Sequence, residues 1–263
     1  MFRHDVEALT RSFNGDIGIY IKSLKTGKVF QLNADTTFPT ASIVKIPILI
    51  GIINKINVGE LAYHQMEMYN DSMLYAGVDI LGSFKNGEKI ELSKLIMLML
   101  SMSDNTASLW LQKLAGTGTV INTLMENNGF KNTWVNSKTV GREYDRGKYG
   151  WGQTTPKEMA TIVEKLYKGE IINDSLSKKM IRLLGRNYWD EEALSEIPST
   201  IFVASKSGAV DASRSEILLV MAKEPYILSV FTKNNKDQSW DYKNEAWVLI
   251  RKLSKIAYEF YSK

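Results

Sequence analysis

Three short stretches of this chain set a hydroxyl beside a nitrogen group: Ser42-Ile43-Val44-Lys45, Ser103-Asp104-Asn105 and Lys206-Ser207-Gly208. A serine hydroxyl is a weak nucleophile until a base takes its proton. The chain has two histidines, His4 and His64, and neither stands where a Ser-His-Asp triad would need it, so a lysine has to be the base. The chemistry such a set suits is acyl transfer through a serine ester. Ser42 and Lys45 are three residues apart, which on a helix opened by Thr40 or Ala41 places them on one face, about a turn apart. The polar stretch Thr36–Thr40 precedes them and the apolar run Ile46–Ile53 follows. Ser42 is therefore expected at a helix N-terminus, where the dipole favours a developing oxyanion. Lys45, drawn into an apolar helix, is expected to be desolvated and its pKa lowered toward that of a working base.

Each stretch has a plainer reading when taken alone. Ser42 is then a helix cap and Lys45 a lysine snorkelling to water. Ser103-Asp104-Asn105 follows Leu98–Met102 and reads as an N-cap at a helix junction, since all three residue types favour that position. Lys206-Ser207-Gly208 follows the β-like run Ile201-Phe202-Val203 and reads as a strand ending in a turn. Their order tells against coincidence: separations of 61 and 103 residues put them on helix start, helix junction and strand.

Periodicity supplies the elements that must hold these groups. Residues 5–13 read as a short amphipathic helix, and Ile17–Leu24 as a half-buried strand that turns at Lys25–Lys28 and returns over Val29–Leu32. Helices are expected over Glu91–Met102, Thr106–Leu114, Val120–Glu126, Lys157–Leu166 and Leu176–Leu184. Strands follow at Thr200–Ser205, Ser215–Met221 and Tyr226–Phe231, then a last helix from about Trp240 to Tyr261. Strands at both ends with helices between imply an α+β, two-lobed molecule. Its antiparallel sheet lobe comes from residues 1–37 and 186–263, its helical lobe from 38–185, and the active site lies between them. The 263 residues carry a net charge of +4 with no basic block, which argues against a nucleic-acid partner and modestly favours an anionic substrate. Cysteine is absent, excluding disulfides and thiolate chemistry. No window has the roughly 18 apolar residues a membrane span needs, and Met1-Phe2-Arg3-His4-Asp5 is not a signal peptide, so the protein is expected either to be cytoplasmic or to start after a removed signal.

Taken together, the three stretches resemble the motif set of the penicillin-recognising serine hydrolases, and within them the class A β-lactamases and their close penicillin-binding relatives. Ser103-Asp104-Asn105-Thr106-Ala107, Lys206-Ser207-Gly208-Ala209 with Ser213-Arg214, and Thr154-Thr155-Pro156 extend the likeness along essentially the whole chain. The resemblance implies Ser42 as the acylated nucleophile, Lys45 as its proton acceptor, and Ser103 as the group that passes the proton to the leaving nitrogen. It implies Asn105 for the substrate amide, Lys206 and Ser207 for the substrate carboxylate with Arg214 as a second cation, Gly208 as a further substrate-binding position, and an oxyanion hole from the N–H groups of Ser42 and Ala209. It also implies a monomer without metal or cofactor, working in the periplasm or secreted after loss of a signal, on a β-lactam or a peptidoglycan peptide. The chain departs from the family in one loop. Class A β-lactamases carry Glu-x-x-Leu-Asn in the Ω-loop, where the glutamate positions the deacylating water, whereas here the segment reads KTVGREYDRGKYGWGQ. Glu143 is the best substitute and Asp145 the second; the alternative is that both are solvated or paired with Arg142 or Arg146. Three functions are compatible with this: a β-lactamase, a DD-peptidase with slow deacylation, and a non-catalytic sensor.

Overall fold

The structure, a computed structural model, describes residues 2–75, 79–185 and 187–263. Met1 and Arg186, which stand at expected lobe boundaries, lie outside the described residues. Helix α1 (Phe2–Thr10) leads into the hairpin β1 (Asp16–Ser23) and β2 (Val29–Leu32), and β3 (Phe38–Pro39) delivers the chain to a 3-10 turn, Ala41–Val44, continuous with α2 (Lys45–Asn57). After β4 (Met66–Met68) and β5 (Lys89–Glu91) come α3 (Leu92–Ser101), α4 (Asn105–Leu114) and α5 (Thr117–Asn127). Next are β6 (Trp134–Val135), α6 (Glu143–Tyr149), β7 (Gly152–Thr154), α7 (Pro156–Tyr167) and α8 (Asp174–Leu184). Strands β8 (Val203–Val210), β9 (Ser213–Val220) and β10 (Tyr226–Lys233) precede the closing helix α9 (Glu245–Tyr261).

The main sheet has the order β2-β1-β10-β9-β8, antiparallel throughout, so the first hairpin and the last three strands form one layer. The consecutive apolar residues Ile217-Leu218-Leu219-Val220 of β9 show why this layer is covered on both sides. Ile217 and Leu219 point into a core shared with α2, α3 and α7, whereas Leu218 and Val220 point into a second core with α1 and α9. The expected α+β architecture is what the chain adopts.

Boundaries differ where a cap or a partner strand overrides local pattern. Strand β8 runs on through Val210, because Lys206 to Val210 pair with Ile217 to Ser213; the expected end at Ser205 falls five residues early. Helix α9 starts at Glu245, not near Trp240, because Asn244 accepts hydrogen bonds from the N–H groups of Ala246 and Trp247. Helix α7 is set by Thr155, whose hydroxyl accepts from Glu158 N–H at 3.1 Å, with Pro156 in the first turn.

Candidate active site

The turn bearing Ser42 is held from two directions. Thr40 N–H donates to Gly152 O at 2.9 Å, tying it to β7, and β8 lies across its other side. Gly208 allows that approach: a Cβ there would stand 2.5 Å from Thr40 O and 3.0 Å from Ser42 N. Ala41 and Ser103 both have left-handed backbone, with φ of 43° and 58°. Such conformations cost of order 1–3 kcal/mol in a non-glycine residue and persist where surrounding structure fixes them.

Lys45 is the centre of the arrangement. Its ammonium nitrogen is fully buried and lies 3.0 Å from Ser42 Oγ, 2.9 Å from Ser103 Oγ, 2.5 Å from Ser103 O and 2.9 Å from Asn105 Oδ1. Four oxygens surround a group that has three protons when charged, and two of the four are hydroxyls able to donate to it instead. Burial holds the Lys45 pKa well below the usual lysine value, the charge of Lys206 lowers it further, and Asp79 and Asp104 oppose the shift. A neutral amine between two serine hydroxyls can accept a proton from one and return it through the other. Asp104, at the middle of the Ser103-Asp104-Asn105 stretch, caps α4 by accepting from Ala107 N–H at 2.7 Å. The structural reading and the chemical one therefore describe different residues of the same triplet.

Lys206 is fully buried in β8, its ammonium donating to Ser207 O at 3.0 Å. Burial brings its pKa down to about 8, against the pull of Glu216 on β9. Glu216 is itself fully buried; it accepts from Ala193 N–H at 2.8 Å, and burial pushes its carboxyl up to about 8. Nearby, Glu192 pairs with Arg251 of α9 at 2.6 Å. Glu192, Glu216 and Arg251 carry no motif in the sequence, and the one local signal is at Glu216, a carboxylate directly before the apolar run Ile217–Val220 of β9.

Two further expectations meet a different geometry. Arg214 is buried, and its guanidinium donates to the carbonyls of Val210, Asp211, Ser213 and Ser239 while stacking 4.4 Å from the Trp240 ring centroid. It braces the β8–β9 turn through these carbonyls. Glu143 opens α6 on an exposed face and accepts from Gly141 N–H at 3.2 Å. Asp145 is paired with Arg142 at 2.9 Å. Neither carboxylate lines a cavity at Ser42, because the short loop winds into a surface helix that turns both away.

Two cavities of about 450 Å³ each meet at Ser42, Asn105 and Ala209. One runs toward α6 and is walled by Tyr75, Tyr149 and Trp151, with Lys148 and Lys233. The other contains Ser103 and Ser207 and is walled by Trp189, Trp240 and Trp247, with Asp79, Asp104, Glu191 and Glu192.

The chain is similar to known proteins in sequence and in fold. A family model described as a β-lactamase enzyme family matches residues 1–261. The β-lactamase VEB-1 of Pseudomonas aeruginosa is 23% identical, over 97% of this chain and 89% of its own. An imipenem-hydrolyzing β-lactamase of Enterobacter cloacae is 25% identical, over 89% of this chain and 82% of its own. Among solved structures, a class A β-lactamase from Mycobacterium abscessus superposes with a TM-score of 0.87 at 20% identity, covering 100% of both chains. The structure of PBP-A superposes with a TM-score of 0.85 at 20% identity, over 98% of this chain and 94% of that one. The fold, the buried lysine between two serines and the match over nearly the full length agree, and the chain belongs to the β-lactamase enzyme family, as a serine β-lactamase-like hydrolase.

Proposed function

We propose that β-lactams acylate Ser42 and that the resulting ester is hydrolysed slowly, so that deacylation limits turnover. The observation that carries the first half is the position of Lys45 Nζ, within 3.0 Å of both Ser42 Oγ and Ser103 Oγ. In this scheme Lys45 accepts the Ser42 proton as Oγ attacks the lactam carbonyl, and the N–H groups of Ser42 and Ala209 hold the oxyanion. The C–N bond then breaks as Ser103 gives its proton to the leaving nitrogen and is reprotonated from Lys45. Asn105 holds the side-chain amide of the substrate, while Lys206 and Ser207 hold its carboxylate; Arg214 supports the strand turn beside them.

The second half rests on the α6 side of the site. Among the described residues lining that cavity there is no carboxylate, so a water approaching the ester from there has no strong base. A long-lived acyl-enzyme is also what a DD-peptidase uses to pass its acyl group onward, and a peptidoglycan stem peptide is the alternative substrate. Both substrates lie outside the cytoplasmic membrane, which supports a periplasmic or secreted protein. Residues 1–37 with 186–263, and 38–185, are taken as its two lobes and the monomer as its working unit.

Mass spectrometry of the intact protein with benzylpenicillin tests this. The expected result is an adduct on Ser42 that outlasts many minutes, is abolished in Ser42→Ala and Lys45→Ala, and has the same lifetime in Glu143→Gln. An adduct mapped to Ser103 or Ser207 overturns the assignment of the nucleophile. Fast turnover that is lost in Glu143→Gln overturns the slow deacylation.

A further inference from the structure

The two cavities at Ser42 differ in the ionisable groups of their walls. On the Ser103 side the titratable groups in the wall are Asp79, Asp104, Glu191 and Glu192, with no lysine or arginine among the described residues. On the α6 side they are Lys148, Lys233 and tyrosines, with no carboxylate among the described residues. Lys233 donates to Thr37 O at 2.8 Å and sits 4.9 Å from the Phe38 ring centroid. Lys148 is exposed on α6, its ammonium 5.1 Å from the Tyr149 ring centroid. Neither lysine forms an ion pair within 4 Å among the described residues, although the Tyr149 hydroxyl and the charge of Asp145 raise the Lys148 pKa. A concave, aromatic-walled site that concentrates unpaired cations raises the local concentration of anions.

Which part of a substrate enters each cavity follows from Ser103. If Ser103 protonates the leaving nitrogen, the leaving half of the substrate lies over the cavity that Ser103 lines. The acyl half is then directed the other way, toward α6. Resting on the proposed acylation of Ser42, we infer that this enzyme selects substrates whose acyl side chain carries an anionic group, read by Lys148 at the cavity mouth with Lys233 behind it. The substrate class is thus a β-lactam or peptide with a carboxylate on the acyl side, in addition to the carboxylate held by Lys206.

Three penicillins that differ at a single carbon test the inference: α-carboxybenzylpenicillin, benzylpenicillin and α-aminobenzylpenicillin. Acylation rate constants measured on the full chain should fall in that order, with about a fivefold step between carboxylate and hydrogen, the size of one partly solvated ion pair. The step should shrink with added salt, flatten in Lys148→Gln and invert in Lys148→Glu. Lys148 is exposed, so these variants keep the fold. Equal wild-type rates, a preference for the amino compound, or an undiminished preference in Lys148→Gln would overturn the inference while leaving Ser42 as the nucleophile. Failure of all three penicillins to acylate would instead bring down the reading of the site, and the inference with it.

Discussion

Lys206 and Lys45 are both buried lysines, yet the proposed chemistry asks opposite things of them. Lys45 has to be neutral to accept a proton, and its pKa is held low by burial and by the second lysine. Lys206 has to be charged to hold a carboxylate, and its pKa of about 8 means that the charge disappears as pH rises through that value. An amine is protonated below its pKa, so alkaline conditions favour the base and remove the anchor. The ratio of acylation rates for a penicillin and its methyl ester should therefore fall severalfold between about pH 7 and pH 9. A constant ratio across that range would show that Lys206 carries no such charge. Much at this scale was legible from the chain alone, because Ser42 and Lys45 are local neighbours whose spacing sets their contact. Glu192 and Arg251 were not, since their pairing depends on α9 packing beneath the sheet, a relation no local spacing records.

Strand β8 shows how an element can hide from its own sequence. Lys206-Ser207-Gly208-Ala209 has a glycine and no β-branched residue, so nothing local continues the strand past Ser205; the register with β9 does. In the short α6 the residue types of Glu143 and Asp145 suit catalysis but do not record which way they face, and the helix turns them to solvent and to Arg142. Within β9, Glu216 places a carboxyl in a fully buried position, and its pKa of about 8 compares with an ordinary value near 4.5. The folded state keeps that proton while the unfolded chain gives it up. The resulting stability is complete at acid pH and is lost as pH rises through this window. Glu216→Gln removes the titration, so its advantage over the wild type should grow steadily as pH rises between about pH 5 and pH 8. Thermal melts across that range measure it, and a pH-independent difference between the two proteins would refute the argument.

The α+β organisation was legible because apolar strands cluster at the two ends of the chain and amphipathic helices fill the middle. The order of strands within the sheet was not legible, because pairing partners are set by closure of the whole molecule. That order has a kinetic consequence. Strand β1 pairs with β10, Asp16 with Lys233 and Ser23 with Tyr226, so the hairpin formed first has no inner neighbour until nearly the entire chain exists. During synthesis, which proceeds from the N-terminus, β1 waits with an open edge and an apolar surface that invite aggregation and chaperone binding. Long-range pairing of this kind also makes refolding slow. A fragment ending at Lys223, without β10 and α9, should leave the β1 amides exchanging rapidly with solvent, whereas in the full chain they should be among the well protected. Strong protection of β1 in that fragment would show that the sheet can nucleate without its closing strand.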